Sequence, residues 1–492
     1  MILARLMIIL VALLNLFVLL IYPGFAMGFS TNIHQIINKN AAEGSPVLDE
    51  FLRSTFGLGF PAGRDTSILG RTVVEWIERG GVAEDEFRSF EFLGGLSRSP
   101  RHFHTPLPPM DDWGQAGLGL GAFESSVRWA QNPSQFPGRR ASWIDARETY
   151  FRALTSRLLN DRRALFAEMF LDLGQVMHLV ADLASPAHTR NDAHLPGNSD
   201  DFERFMARNP GLVTGFTRVD PAILRQPTGD GVARVPVARL WDTNRYNGTN
   251  PDVTIESTVD GATIGLAEFT SANFFSDDSV INRALLDPVL PYPGIDRLDP
   301  GPRDIYPPTG RRRQYLSKQR DGFFPITHMA AQGPFNRFLP EIFRWYILDD
   351  LVYLDYAPVL LPRAIGYTSA VLDYFFRGRL EKLCCSPMFG DPITQLTLRG
   401  VRNITPNEET GQGDLVAIVI GRSGDEDTHF VSAPLTGVTL TRDFQEFTFD
   451  FSANPIPRVG PFHTAVVFRG RLGEEEQAVI VAKRCTRLRF VR

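Results

Sequence analysis

Apolar residues recur at helical spacing through most of the first 210 positions, with no strand-like alternation to compete with them. Ile33, Ile36, Ile37, Ala41 and Ala42 follow Ser30 and Thr31, either of which can cap a helix. Ile68, Val73, Val74, Trp76 and Ile77 predict a second helix within 66–90, ending at Gly80-Gly81. A loop-rich stretch runs to about residue 140. From Ser142 to Ala184 the pattern is almost unbroken, which predicts one bent helix or two joined near Asn160-Asp161. Between 210 and 335 the pattern weakens to a helical piece at 263–275 and a proline-rich, irregular segment at 287–312. Arg311-Arg312-Arg313 at its end reads as a solvated loop. Helical spacing returns over 335–383 in two patterns separated by prolines. After Pro392 the period changes. QLTLRGV, DLVAIVIG, GVTLTRD, EFTFDF, HTAVVFRGRLG and QAVIVAKRC are short β-branched and aromatic runs separated by turn residues, as in a β-sandwich.

The pattern therefore predicts a multidomain chain. A mainly α-helical domain spans 29–385, with an irregular insertion at about 210–335, and an all-β C-terminal sandwich spans 392–492. Ahead of both, Arg5 precedes an uncharged apolar run from Leu6 to Tyr22. This reads as a signal peptide over 1–28, and Ala26-Met27-Gly28 supplies a small-residue cleavage site that would free Phe29. An uncleaved N-terminal membrane anchor is the competing reading. No later segment is expected to span a bilayer. The expected location is secreted, periplasmic or cell-surface.

Composition narrows the picture in two ways. A net charge of −5 argues against a protein that binds nucleic acid through a broad basic surface, but not against an enzyme that holds one phosphate in a metal site. Three cysteines, two of them the adjacent Cys384 and Cys385, leave at most one long-range disulfide in 492 residues.

The chemistry concentrates in Leu173–Glu203, which packs three histidines and five acidic residues around Pro186. His178 and Asp182 stand four apart, so both leave one face of one helix. Pro186 bends or ends that helix, and His188 follows where it can converge on the same spot. His194 and Glu203 lie beyond. Upstream, Gly80-Gly81-Val82-Ala83-Glu84-Asp85 delivers a carboxylate after a glycine turn, and Arg101-His102-Phe103-His104 supplies imidazoles. His34 lies five residues after Phe29. Imidazole and carboxylate together suit a borderline cation such as zinc. His328, His429 and His463 are scattered and read as surface or satisfied core histidines.

In this order, behind a signal peptide, these segments resemble the zinc-dependent phospholipase C and single-strand nuclease superfamily. The likeness covers about 29–205, with the helices to 383 as its continuation. Its most specific part is the HxxxDxxxxxH spacing of His178, Asp182 and His188. The resemblance implies a mostly helical phosphodiesterase with two or three zinc ions held by Phe29, His34, Asp85, His102, His178, Asp182, His188, His194 and Glu203. Asp182 would be shared between metals, and Asp85 would double as the catalytic carboxylate that orients or deprotonates water. Phe29 would contribute its terminal amine and carbonyl. The family pairs a histidine with a glutamate four residues later; here Ser199 precedes Glu203 at that spacing, so either His194 or Asp192 would fill the place. Asp145, Glu148 and Asp172 are the expected hydrogen-bond acceptors behind the histidines.

The resemblance implies hydrolysis of phosphate esters by metal-activated water, with a phospholipid headgroup as the first expected substrate. The alternative within the superfamily is a single-strand nuclease or 3′-nucleotidase, toward which the Phe29–His34 spacing leans. A non-catalytic surface-binding protein is the third reading, prompted by the incomplete His–Glu pair and the 210–335 region. The sandwich is expected to make any membrane-surface contact, and no obligate protein partner is evident.

Overall fold

A computed structural model describes residues 31–54, 60, 62–85, 98–107, 123–136, 139–192, 201–215, 218–221, 236–248, 263–280, 294–295, 298–319, 325–340, 344–383, 391–423, 426–457 and 462–482. The expected signal segment, Phe29, His194 and all three cysteines lie outside the described residues.

The first apolar pattern becomes two helices, α1 (Thr31–Gly44) and α2 (Pro46–Ser54). A short hairpin, β1 (Ser67–Ile68) and β2 (Arg71–Thr72), then feeds α3 (Val73–Ala83). Thr72 caps α3: its hydroxyl accepts from Glu75 N while the Glu75 carboxylate accepts from Thr72 N. The predicted stop at Gly80-Gly81 is not taken, and α3 runs through both glycines to Ala83. A Cβ on Gly80 would lie 2.3 Å from Leu171 O and 2.6 Å from Gly174 Cα, so the pair exists to let two helix backbones touch. After the short α4 (Ser126–Trp129), the long apolar pattern splits into α5 (Trp143–Thr155) and α6 (Leu159–Ala181). The break falls at Ser156–Leu158, a little before the expected junction.

By length and composition the stretch Leu159–Ala184 could cross a membrane, contrary to the expectation that no later segment is apolar enough. However, 83% of its most apolar window is buried inside the protein, so α6 serves as the central core helix. The chain then passes through α7 (Pro186–Thr189), α8 (Asp201–Arg208) and α9 (Leu266–Asn273). The last of these falls within the expected helical piece.

Two sequence expectations fail in the next stretch. Residues 299–347 include an antiparallel four-stranded sheet in the order β3 (Asp299–Tyr306), β4 (Arg311–Lys318), β5 (Ile326–Gln332), β6 (Tyr346–Ile347). Arg311–Arg313 thus opens a strand instead of lying in a loop, and Arg313 pairs with buried Asp349 at 2.7 Å. The expected helix from 335 begins only at α10 (Asp350–Phe375), where Asp349 caps Leu351 N and Val352 N. α10 then runs through Pro358 and Pro362 without a break. Prolines remove backbone donors, but this helix is buried along most of its length and its packing holds it together.

The C-terminal part is two packed sheets, as expected. β10 (Glu426–Val431), β9 (Thr410–Ser423), β13 (Phe462–Leu472) and β14 (Glu475–Val481) lie side by side, with β11 (Leu435–Val438) also pairing β9. The second sheet has the order β12 (Gln445–Asp450), β8 (Gln395–Asn403), β7 (Leu380–Lys382). Leu415, Ala417, Val419, Val466 and Phe468 face the smaller sheet with Leu396, Leu398 and Phe449. Their neighbours Val416, Ile418, Ile420, Ala465 and Val467 belong instead to the helical core. The larger sheet is therefore buried on both faces, which is why DLVAIVIG is continuously apolar instead of alternating.

A buried ion cluster also joins helices to sandwich. Glu475, at the start of β14, accepts from Arg147 Nε at 2.8 Å, Arg147 Nη2 at 3.0 Å, Trp143 Nε1 at 2.9 Å and Arg377 Nη1 at 2.6 Å. Arg147 and Trp143 sit on α5.

Candidate metal centre

Three helices fix the centre's position. Asn38 on α1 donates its side-chain N–H groups to Ile77 O on α3 and Gly174 O on α6, at 3.2 and 3.0 Å. With the Gly80–Gly174 contact, this holds α1, α3 and α6 in register. His34 on α1, Asp85 just past α3, and His178 and Asp182 at the end of α6 then point into one buried space. His102 arrives from the loop that follows a short 3-10 turn at Ser99–Arg101.

Four donor atoms converge. His102 Nδ1 and His178 Nε2 are 3.4 Å apart, and each is 3.2 Å from Asp182 Oδ2. Asp85 Oδ1 lies 3.7 Å from His102 Nδ1 and 3.6 Å from His178 Nε2. A tetrahedral zinc ion with bonds of about 2.0–2.1 Å has ligand–ligand edges of about 3.3–3.4 Å; the three separations among His102, His178 and Asp182 lie at that length, and those from Asp85 to the two histidines are slightly longer. The other oxygen of Asp182 faces away, 3.0 Å from His34 Nε2, so one carboxylate addresses two adjoining sites. The His34 and His178 rings are stacked, with centroids 3.6 Å apart.

The donor set has the polarity a cation requires. His178 Nδ1 lies 2.7 Å from Gly81 O; a carbonyl only accepts, so Nδ1 carries the proton and Nε2 turns its lone pair inward. Both oxygens of Asp85 are buried and take no hydrogen bond among the described residues. A buried carboxylate left in that condition is costly, and a bound cation would relieve it. Burial pushes the Asp85 carboxyl up to about 6, against the pull of His178 and His102. Burial and the neighbouring His178 push His34 down to about 3, with Asp182 opposing. Burial likewise opposes charge on His178, but Asp182 and then Asp85 outweigh it and raise this imidazole to about 10. Without a cation, one proton on His178 is thus what compensates the two carboxylates. The residues fit a metal ion.

His188 and Glu203 form a neighbouring pair. Ser185 ends the turn after Asp182 in extended backbone, Pro186 starts α7, and His188 is carried back toward the centre, as the proline suggested. Its Nδ1–H faces His102 O at 3.3 Å, and its Nε2 lies 2.9 Å from Glu203 Oε1 on α8. Phe103 stacks on the ring with a centroid distance of 4.3 Å. Asp192 is buried but belongs to neither group of clustered donors found among the described residues. Of the nine expected ligands, the structure brings together His34, Asp85, His102, His178 and Asp182, and pairs His188 with Glu203 beside them. Phe29 and His194 lie outside the described residues.

The expected acceptors behind the histidines are elsewhere. Asp145 caps α5, Glu148 pairs with Arg469 on the sandwich, and Asp172 pairs with Arg139. Their place is taken by Gly81 O, His102 O and Glu84. Glu84 accepts from Arg98, from Trp129 Nε1 at 3.1 Å and from Gln175 Nε2 at 2.7 Å, and its Oε1 lies 3.8 Å from His102 Nε2. Despite burial, Arg98 and His102 hold its carboxyl down to about 2. Its position immediately before Asp85 was the available signal. His104, two residues past His102, bonds Asp242 at 2.9 Å, a partner no local pattern indicates.

No family model matches the chain, and no curated protein matches it in sequence. Among solved structures, the chain is similar to the alpha-toxin of Clostridium perfringens from an avian strain. The identity is 11% over 95% of this chain and 100% of that one, with a TM-score of 0.27. It is also similar to the alpha-toxin of Clostridium absonum, at 9% identity over 94% and 99% of the two chains and a TM-score of 0.28. At such scores these likenesses add nothing to what the side chains themselves show.

Proposed function

We propose that the chain is a zinc-dependent phosphodiesterase of the phospholipase C kind, hydrolysing phosphate esters with metal-activated water. One observation carries the reading: buried donor atoms of His102 and His178 stand 3.2 Å from Asp182 Oδ2 and 3.6–3.7 Å from Asp85 Oδ1, spacings suited to a shared cation. When bound there, zinc would lower the pKa of a coordinated water toward neutrality and draw charge off the phosphoryl oxygens.

The chain's own residues do the rest. His102, His178, Asp85 and Asp182 Oδ2 would hold one ion. Asp182 Oδ1 and His34 would hold a second, with Phe29 completing it if the terminus is cleaved there. His188 and Glu203 would hold a third. Gly81 O and His102 O hold the Nδ1–H of His178 and His188, so that an ion displacing the compensating proton of His178 would meet the Nε2 lone pair. Asp85 supplies a carboxylate oxygen to orient water and take its proton.

The test is elemental analysis of the mature protein, purified without chelator or affinity histidines, followed by assays on phosphatidylcholine and on single-stranded DNA. Two or three zinc per chain with headgroup release is the expected result. Cleavage of DNA alone would move the protein to the nuclease reading. No bound metal, with none taken up on dialysis against zinc, would refute the catalytic assignment and leave a binding protein.

A further inference from the structure

The four-stranded sheet that the sequence did not announce has one end unlike the rest of the surface. The pairing of Tyr306 with Arg311 and of Tyr315 with Ala331 puts the β3–β4 turn at the same end as Gly333–Pro340 and Arg344–Trp345. Large apolar side chains stand in solvent there: Phe338 is 69% exposed, Phe335 58%, Ile305 53% and Trp345 44%. Their exposure is built in. Buried Asn336 clips the loop by accepting from Trp345 N at 3.0 Å and donating to Trp345 O, and the Trp345 indole rests on Gly333, where a Cβ would overlap it. These contacts of Gly333, Asn336 and Trp345 hold the neighbouring aromatics outward.

The charges beside them are mostly positive: Asp304 is paired with His328 and Asp350 with Arg208. Arg303, Arg311, Arg312 and Arg344 are exposed, and none has an ion-pair partner among the described residues. Arg337 lies over the Phe338 ring at 4.3 Å. On a chain whose formal charge is −5, a cluster of unpaired arginines around exposed aromatics is a local exception. The sheet is also rigidly placed: Arg313 and Tyr315 OH bind Asp349 at the start of α10, and Tyr356 OH on α10 donates to Met329 O.

We propose that this end of the sheet is a docking surface for an anionic lipid bilayer. The aromatics would enter the interfacial region and the arginines would meet acidic headgroups. The sequence pointed to the sandwich for such a contact; the proposed surface lies on the sheet instead. The exposed large apolar residues described on the sandwich, Leu383, Ile404 and Phe444, are fewer, and each is less exposed than Phe338, Phe335 and Ile305. A lipid surface is favoured over single-stranded nucleic acid because an aliphatic Ile305 and three aromatics give area to bury, whereas base stacking would use the ring faces and leave the isoleucine idle.

The test is co-sedimentation of the full chain with phosphatidylcholine vesicles, with and without a minor fraction of phosphatidylserine, on lipid confirmed intact afterwards. Binding should require phosphatidylserine and weaken with salt. Arg311→Gln with Arg312→Gln should lower affinity about fivefold per arginine at low salt. Phe338→Ala with Trp345→Ala should lower it about tenfold at any salt. Thermal unfolding and turnover of a soluble phosphodiester serve as controls and should stay unchanged. Wild-type protein that unfolds normally but binds neither vesicle overturns the proposal, as do variants that bind like wild type. It is also overturned if the same variants lose affinity for oligo-deoxythymidylate and not for vesicles. Docking is read without catalysis, so a chain that binds vesicles but hydrolyses nothing would keep this surface and lose only the enzymatic reading.

Discussion

Replacing Glu475 with Gln would remove the buried negative charge at the centre of the Arg147–Arg377 cluster between the helices and the sandwich. The wild-type carboxylate is 1% exposed and takes two bonds from Arg147, one from Trp143 and one from Arg377. Although burial opposes ionisation, Arg147 and Arg377 outweigh it and bring the carboxyl from 4.5 down to about 2. A depressed carboxyl contributes stability that is fully present above its unfolded value and is lost as pH falls through its folded one. A shift of about 2.5 units corresponds to about 3 kcal/mol at neutral pH, more than half of it gone by about pH 3. Urea unfolding of wild type and Glu475→Gln across that range reads the difference directly. Comparing the two proteins cancels the other carboxylates, which titrate in both. A gap of about 3 kcal/mol at pH 7 that narrows between about pH 4.5 and 2 is expected. A gap that stays constant down to pH 3, or one under about 1 kcal/mol at pH 7, would refute the view that this ion cluster holds the two parts together.

Three further outcomes follow from the centre. Asp182→Asn, which removes the carboxylate faced by His34, His102 and His178, should cut bound metal and lower phosphodiesterase turnover by at least about 100-fold with the helical circular dichroism intact; unchanged metal content would show that the shared carboxylate is misassigned. Gly80→Ala should cost about 3 kcal/mol by urea unfolding, because the new Cβ meets Leu171 O at 2.3 Å and forces α3 off α6. Chelator should lower the thermal midpoint by several degrees and zinc restore it, since an ion that binds only the folded chain stabilises it; a midpoint indifferent to both would argue that the buried donors are compensated by protons alone.

The local signals were the ones visible in the chain. Helical spacing located α1, α3, α5, α6 and α9 because each buries a face or a whole surface, and HxxxDxxxxxH located the ligands that share one turn and one proline bend. Glu84 was visible only as the neighbour of Asp85, and its three donors come from Arg98, Trp129 and Gln175, which no spacing links. The four-stranded sheet was missed because its strands carry polar and proline residues on an exposed face: β4 is exposed at Arg311 and Arg312 and buried from Tyr315 to Lys318, with no clean alternation to read.

The sequence by itself determined which side chains are available and which lie within one helical turn of another. It also marked where the chain turns to β structure, since backbone periodicity and proline act over a few residues. Tertiary structure decided what those residues meet. It placed Asp182 between His34, 148 positions earlier, and His178 on its own helix. It set the Gly81 carbonyl against His178 by letting two glycines touch. It buried the larger sheet of the sandwich between two cores, and it left Phe335, Phe338 and Trp345 outside both. The physical reason is the same in each case: a donor set, a double-sided sheet and an exposed patch are defined by what packs opposite, and what packs opposite is a property of the whole fold.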